Sequence, residues 1–95
     1  AARGAVYPLD AVNLTITGVV PGSDIVILDA GTETERANVD ANPSSVYVYA
    51  FSTGGNVDIC LYKAGYVPFS IRNYTLPTSN GSVPVAQLVD RNYTD

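Results

Sequence analysis

The amino-acid sequence predicts an all-β domain, an antiparallel β-sandwich of about six or seven strands. Short apolar runs recur along the chain, β-branched or alternating with polar residues, and Gly, Pro, Asn and Ser separate them. No window of useful length shows the i, i+3, i+4, i+7 apolar spacing of an amphipathic helix. A chain of 95 residues fits one domain with one small core. We expect the sandwich at residues 12–83, an N-terminal arm or linker at 1–11 and a C-terminal arm at 84–95.

Two strands flank the first predicted turn. Residues 12–17 alternate apolar and polar side chains, which is the period of a strand with one buried face. Pro21 and Gly22 stand in the order of a type II turn, because Pro fixes φ and Gly accepts a positive φ. Residues 24–29 are rich in β-branched side chains and apolar on both faces, so we expect a central strand covered on two sides.

Turn and loop residues dominate the next part of the chain. Their composition predicts a polar turn at residues 31–35, a short edge strand at 37–39 and a loop at 41–45. Residues 46–51, VYVYAF, then alternate aliphatic with aromatic side chains. This alternation predicts a strand with one aliphatic and one aromatic face, both of which can be covered.

A β-hairpin is expected around Gly54 and Gly55. Residues 52–56 join VYVYAF to the strand-like run 57–62, and a short Gly-containing connection between two such runs is typical of a hairpin. We therefore predict that these two strands pair. In the second strand, one face carries Val57, Ile59 and Leu61, and the other carries Asp58, Cys60 and Tyr62.

The stretch YKAGYVPFSI at residues 62–71 predicts a corner between two strands. Gly65 can adopt a backbone conformation that a residue with a Cβ resists. Pro68 lacks the amide donor that a central strand needs, which confines it to a strand start or an edge. Another strand is expected at residues 69–75, an Asn-Gly turn ends the following loop, and residues 83–89 close the chain.

The charge balance argues against two classes of partner. Nine acidic and five basic residues give a net charge of −4. The basic residues are scattered along the chain: Arg3, Arg36, Lys63, Arg72 and Arg91. Nucleic acids and anionic membrane surfaces are bound through clustered basic side chains, so we expect neither as a partner. The longest aliphatic run is only the four residues 25–28, so no transmembrane segment is expected.

Few residues suited to catalysis are present. The chain has no histidine, which excludes a Ser-His-Asp triad, a Cys-His pair and a His-ligated metal site within it. Cys60 has no adjacent cation, so we interpret it as an inert small hydrophobe. Asp24, Asp29, Asp40 and Asp58 could supply a carboxylate pair or a calcium site, but without EF-hand spacing we expect them to serve turns and solubility. We expect neither an enzyme nor a cofactor or metal.

Tyrosine is over-represented, with seven tyrosines against two phenylalanines and no tryptophan. Tyr47 and Tyr49, with Tyr62 across the predicted hairpin, could form an aromatic ladder that covers a sheet face, a subunit contact or a platform that stacks on sugar rings. These three interpretations stay open. Arg91 and Tyr93 in the C-terminal arm complete the candidate contact surface.

Three stretches of the chain resemble known families. The opening strands of prealbumin-like and immunoglobulin-like β-sandwich modules are similar to LTITGVVPGSDIVILDAGTETE. Their later strand, corner and strand are similar to VDICLYKAGYVPFSIRNYTL, with K-x-G-Y-x-P at the corner. The ends of certain structural proteins of tailed bacteriophages resemble SVPVAQLVDRNYTD, which fits V-x-Q-x-x-D-R-x-Y.

The resemblance implies a non-enzymatic component of a phage virion, in a tail, a fibre or the capsid surface. Such a module is expected to be a homo-oligomer or to bind a neighbouring virion protein. It carries over no catalytic residues, and fold resemblance alone does not fix function. The alternative is a carbohydrate-binding module in which exposed tyrosines bind a glycan.

Overall fold

Residues 11–91 are described by the computed structural model, and they form two sheets with no helix among them. The seven strands are β1 (Val12–Thr17), β2 (Ser23–Asp29), β3 (Glu35–Asn42), β4 (Val46–Phe51), β5 (Asn56–Tyr62), β6 (Phe69–Thr75) and β7 (Gly81–Pro84). One sheet has the order β4-β1-β7 and the other has the order β3-β2-β5-β6. The predicted all-β sandwich is confirmed.

The structure confirms the one-sided burial of β1 and the central position of β2 that the sequence predicts. Leu14 and Ile16 of β1 are fully buried, as their spacing predicts. β2 lies between β3 and β5. Its second face is covered less than expected, because Val26 and Leu28 are only half-buried there. The predicted edge strand at residues 37–39 exists and is longer, since β3 extends into the expected loop and includes Asn42.

The predicted hairpin between β4 and β5 is wrong. β4 pairs with β1, whereas β5 pairs with β2 and β6 in the other sheet. Residues 52–55 therefore cross from one sheet to the other. Both strands have one apolar face, and such faces can meet across the core as well as side by side within a sheet. The sequence pattern is the same in the two cases, and only the packing distinguishes them.

One strand pair departs from the antiparallel rule. β7 runs parallel to β1, with Ile16 opposite Val83, while the other four pairs are antiparallel. β6 and β7 lie in different sheets, so residues 76–80 form an inter-sheet connection rather than a hairpin. A connection of this kind does not force the next strand to run antiparallel to its new neighbour.

The core lies between the two sheets and takes the aromatic face of β4 inward. Tyr49 and Phe51 are buried and stacked, with ring centroids 5.3 Å apart. The buried apolar cluster comprises Leu14, Ile16, Val19, Ile25, Ile27, Tyr49, Phe51, Val57, Ile59, Leu61, Leu76, Val83 and Val85. The aliphatic face of β4, in contrast, points outward.

The segment after β7 closes one end of the sandwich. The amide of Val85 donates to the carbonyl of Thr17 at 2.9 Å, and Val85 itself is buried. The Gln87 side chain accepts a hydrogen bond from the amide of Val20 at 2.9 Å and donates to Ser23 Oγ at 3.0 Å. Packed structure thus extends past residue 83, where the sequence places the start of the C-terminal arm.

The predicted corner at residues 64–68 is hydrogen-bonded to the segment that follows β7. Gly65 has a φ of 90°. Its carbonyl accepts a hydrogen bond from the amide of Asp90 at 3.0 Å, and the amide of Val67 donates to the carbonyl of Leu88 at 2.8 Å. The corner therefore turns β5 into β6 and also anchors residues 88–90 to the four-stranded sheet.

Candidate functional site

Charge is divided unevenly between the two sheets. β1, β4 and β7 contain no charged residue. The strands of the other sheet contain seven: Asp24, Asp29, Glu35, Arg36, Asp40, Asp58 and Arg72. In a chain with a net charge of −4, the three-stranded sheet is therefore a neutral surface.

The outward side of this sheet carries an apolar stripe next to a polar one. Val46, Val48 and Ala50 of β4 lie opposite Thr17, Thr15 and Asn13 of β1, respectively. Val48 is 49% exposed, a high value for an aliphatic side chain on a strand. We call these six outward residues the neutral face. Depletion of charge and exposed apolar side chains are the features that distinguish the centre of protein interfaces from other surfaces.

β4 is an edge strand that is open to pairing over most of its length: in the described part of the chain, only Val46 has edge partners, since its amide donates to Ser44 Oγ at 3.0 Å and its carbonyl accepts from the Asn42 side chain at 3.3 Å. Its register with β1 runs without interruption over the whole strand. The sequence VYVYAF contains no charge, proline or glycine. Exposed regular edges pair readily with another strand, and natural proteins usually block them with charges, prolines, bulges or short length.

The other three edge strands each carry such a blocking feature. β3 has two register irregularities, charged residues and a positive φ of 50° at Ala41. β6 follows Pro68 and has a bulge next to Asn73, whose φ is 57°. β7 has only four residues and ends at Pro84. Among the strands that the structure describes, β4 alone presents a regular and uncharged edge.

The tyrosines proposed from the sequence do not form one surface. Tyr49 is only 7% exposed and belongs to the core. Tyr47 is half-buried on the same inward side, and burial raises the pKa of its phenol. Tyr62 is 52% exposed and lies in the other sheet. The aromatic ladder is thus part of the interior, and Tyr62 is separated from it.

Arg91 and Tyr93 complete the set of residues proposed from the sequence. Arg91 is exposed beyond the segment that closes the sandwich. Tyr93 lies outside the residues that the structure describes.

Arg36 joins the two sheets at the end of the sandwich opposite Gln87. Its guanidinium donates to the carboxylate of Asp29 in its own sheet. It also donates to the carbonyls of Thr53 at 2.7 Å and Gly54 at 2.8 Å, on the connection that leaves β4. The guanidinium also donates to Tyr49 Oη, which is the largest cause of the raised pKa of Arg36; Asp29 raises it as well. An open cleft of about 760 Å³ adjoins this cluster, but the charged group at its wall is already engaged.

A shallow groove of about 260 Å³ lies on the outward side of the four-stranded sheet. Tyr62, Val26 and Cys60 supply its apolar part, and Asp24 and Arg72 supply its charges. Burial raises the pKa of the Cys60 thiol, so the thiolate is disfavoured and the interpretation of this residue as a small hydrophobe is supported.

Glu33 and Asp58 form a carboxyl pair that was not anticipated from the sequence. The Arg72 guanidinium lies 3.2 Å from Asp58 Oδ2 and 3.7 Å from Glu33 Oε1. The amide of Asn73, at the β6 bulge, donates to Asp58 at 2.8 Å and lowers the pKa of Asp58. The hydrogen bond between the two carboxyl groups raises the pKa of Glu33. The two carboxyl groups therefore have pKa values shifted in opposite directions.

Replacing Glu33 with glutamine is expected to stabilise the protein at neutral pH and to have little effect near pH 4. The raised pKa of Glu33 means that its stabilising contribution is present below the unfolded-state value, about 4.5, and is lost as the pH rises through the folded-state value. A glutamine keeps the neutral donor at every pH. Thermal melts of both proteins between pH 4 and pH 7 would measure this difference.

The control for this prediction is to make the Glu33→Gln substitution in a protein that also carries Asp58→Asn. Without the Asp58 carboxylate, the stabilisation by Glu33→Gln at neutral pH should be lost, because Asp58 is the main cause of the raised pKa of Glu33. An equal effect of Glu33→Gln at all pH values in the wild-type background would contradict the raised pKa of Glu33.

Two of the remaining aspartates named from the sequence have structural partners. Asp24 Oδ1 accepts a hydrogen bond from the amide of Ala41 at 2.8 Å, and Asp29 pairs with Arg36. Within residues 11–91, no three acidic, cysteine or histidine side chains are grouped in a way that could hold a metal ion. In the same range, no helix is long and apolar enough to cross a membrane.

The neutral face was missed because its signal depends on strand pairing. Charges can be counted strand by strand in the sequence, and that count is zero for β1, β4 and β7. This count indicates a neutral surface only when these three strands are known to share a sheet. The expected hairpin put β4 next to β5, which contains Asp58, and so concealed the neutral surface.

Comparison with known proteins adds no relative. No family model, no curated protein and no solved structure matches this chain. The candidate site therefore depends on the geometry and charge distribution described above.

Proposed function

We propose that this chain is a non-enzymatic structural domain that assembles with copies of itself or with a neighbouring protein. The observation that carries the proposal is the neutral face together with the open edge of β4. Two rigid connections at the ends of the sandwich, made by Arg36 and Gln87, support it, because they hold the sheet as a preformed docking surface.

Charge distribution favours the three-stranded sheet as the contact. Copies with a net charge of −4 repel each other, and the charged strands of the four-stranded sheet contribute to that repulsion. The neutral face lets two surfaces approach without opposing like charges and without desolvating an unpaired charge. An assembly contact is therefore least costly there.

The proposed setting is a phage virion, in a tail, a fibre or the capsid surface. The resemblance of three short stretches of the sequence to β-sandwich modules and to phage structural proteins is the support for this setting. Strand order favours the prealbumin-like alternative over the immunoglobulin-like one. In immunoglobulin constant-type domains the first, second, fourth and fifth strands share a sheet, whereas here the first pairs with the fourth and seventh.

Sedimentation velocity on the full chain tests the assembly function. We expect the mean mass to rise with concentration between about 10 µM and about 1 mM, since contacts of limited area are usually weak. A monomer over that whole range would contradict self-assembly. A monomer that also fails to bind any structural protein of its parent particle would overturn the proposal as a whole.

A carbohydrate-binding module is the second candidate, and the groove beside Tyr62 favours it. An exposed tyrosine ring flanked by Asp24, Ser70 and Arg72 combines a stacking surface with hydrogen-bonding groups. Burial of Tyr49 weakens the version in which Tyr47 and Tyr49 form the platform. Glycan-array binding that is lost in Tyr62→Ala would support this candidate, and an absence of binding would remove it.

A further inference from the structure

We propose that β4 pairs antiparallel with β4 of a second copy, so that two three-stranded sheets join into one continuous six-stranded sheet. The inference rests on the proposed assembly function and names its contact. Identical strands related by a two-fold axis run antiparallel, so the pairing is closed and produces a dimer.

The backbone of β4 provides the recognition. One side of the strand pairs with β1 along its full length, and the other side is the sheet edge. Its six residues span about 20 Å. The amide and carbonyl of Val46 are engaged by Ser44 and Asn42, so Val48 and Ala50 supply the inter-strand hydrogen bonds of the edge. Strand addition of this type obtains affinity from the main chain and specificity from the alternating side chains.

Charge identifies the occupant as a second copy. A partner strand must bring an edge as neutral as β4, because a charge placed opposite Val46 or Val48 would be desolvated without a counter-charge. β4 itself meets this requirement along its whole length, and the adjacent β1 extends the neutral surface. The other described edge strands carry charges, bulges or proline and do not.

The size of the surface predicts a weak contact. A face of three short strands measures roughly 20 by 14 Å, well below the area of about 800 Å² that each partner contributes to a standard interface. Face-to-face stacking alone is therefore insufficient, and the edge must contribute its hydrogen bonds. A dissociation constant on the order of 100 µM is expected.

The test compares the full-length wild-type chain with Val48→Lys. Lysine on an edge strand is a natural block to pairing, and the exposed position should leave the fold intact. Val48→Lys should weaken self-association at least tenfold without a large change in melting temperature. Asn38→Lys, at an exposed position of the β3 edge, is the matched control and should associate as the wild type does.

Hydrogen exchange on the wild-type chain supplies an independent readout. The β4 amides that do not pair with β1 should become protected as the protein concentration rises. Protection that does not depend on concentration would mean that a segment of the same chain occupies the edge, and it would overturn the inference.

Two further outcomes separate this inference from the proposed function. If self-association persists unchanged in Val48→Lys and is lost when residues 91–95 are deleted, the tail is the contact; the inference is then wrong and the assembly function stands. If the wild type never associates with itself but binds another structural protein, the inference is likewise wrong while the assembly function stands.

Discussion

Gly18→Ala is expected to lower the free energy of unfolding by about 3 to 5 kcal/mol, a large part of the total for a domain of this size. Gly18 has a φ of 79°, which an alanine adopts only with strain. A Cβ at this position would also lie 2.6 Å from the carbonyl oxygen of Val85. Since that oxygen belongs to the backbone, residues after β7 must move away from β1.

Gly31→Ala is the matched control for this prediction. Its φ of 91° imposes a similar strain, but a Cβ there would meet no atom within 4 Å. We expect a loss of about 1 kcal/mol, the cost of the backbone conformation alone. The difference between the two variants isolates the close contact between β1 and the closing segment.

Urea denaturation followed by circular dichroism would measure both variants. In Gly18→Ala, the amide of Val85 should also exchange faster, because its hydrogen bond to Thr17 is disturbed. Equal losses of stability in Gly18→Ala and Gly31→Ala would show that Val85 does not pack against β1 as described.

Arg36→Met should lower the free energy of unfolding by about 2 to 3 kcal/mol. Methionine keeps much of the volume but removes every donor, leaving the carbonyls of Thr53 and Gly54 without this partner. The Arg36 side chain is only 15% exposed, so water replaces these hydrogen bonds poorly. The Asp29 carboxylate contributes little to this loss, because it is partly exposed and remains hydrated.

Arg72→Met is the matched control, because it makes the same substitution at the arginine of β6 in the same four-stranded sheet. The Arg72 side chain is 65% exposed, and its buried partner Asp58 keeps the hydrogen bond from the amide of Asn73. We therefore expect a loss of less than about 1 kcal/mol, as for other pairs with an exposed cation. Chemical denaturation of both variants would compare them directly. A smaller loss for Arg36→Met than for Arg72→Met would contradict the assignment of Arg36 as the link between the sheets.

The sequence specified the strands well because their signals are local. Alternation around Leu14 and Ile16 located β1, and the β-branched run containing Ile25 and Ile27 located the central strand β2. Gly65 and Pro68 marked the corner before β6. Each of these signals depends on side-chain period or on backbone conformational preference, which neighbouring residues determine.

The sequence did not predict which strands pair and which side chains contact each other when they are distant along the chain. β4 was assigned to β5 because they are consecutive and joined by glycines, yet β4 pairs with β1. The Glu33–Asp58 pair and the contacts of Arg36 join residues from different hairpins. Nothing in the composition of the individual segments indicates such partners.

The candidate site also combines features that the sequence predicts locally with features that depend on distant contacts. The exposure of Tyr62 and the burial of Tyr49 depend on which face of each strand meets the core, and an alternating strand with two apolar faces leaves that choice open. In VYVYAF the aromatic face packs into the core, and the aliphatic face is therefore exposed. The neutral face is a consequence of that choice.

By itself the sequence determined an all-β sandwich, the position of most strands and turns, and a net negative chain with a neutral VYVYAF segment. Only the tertiary structure decided that β4 joins β1 and β7, that their shared sheet is free of charge, and that β4 forms its open edge. The physical reason is that strand formation follows from local alternation, whereas sheet membership follows from the free energy of burying one common core.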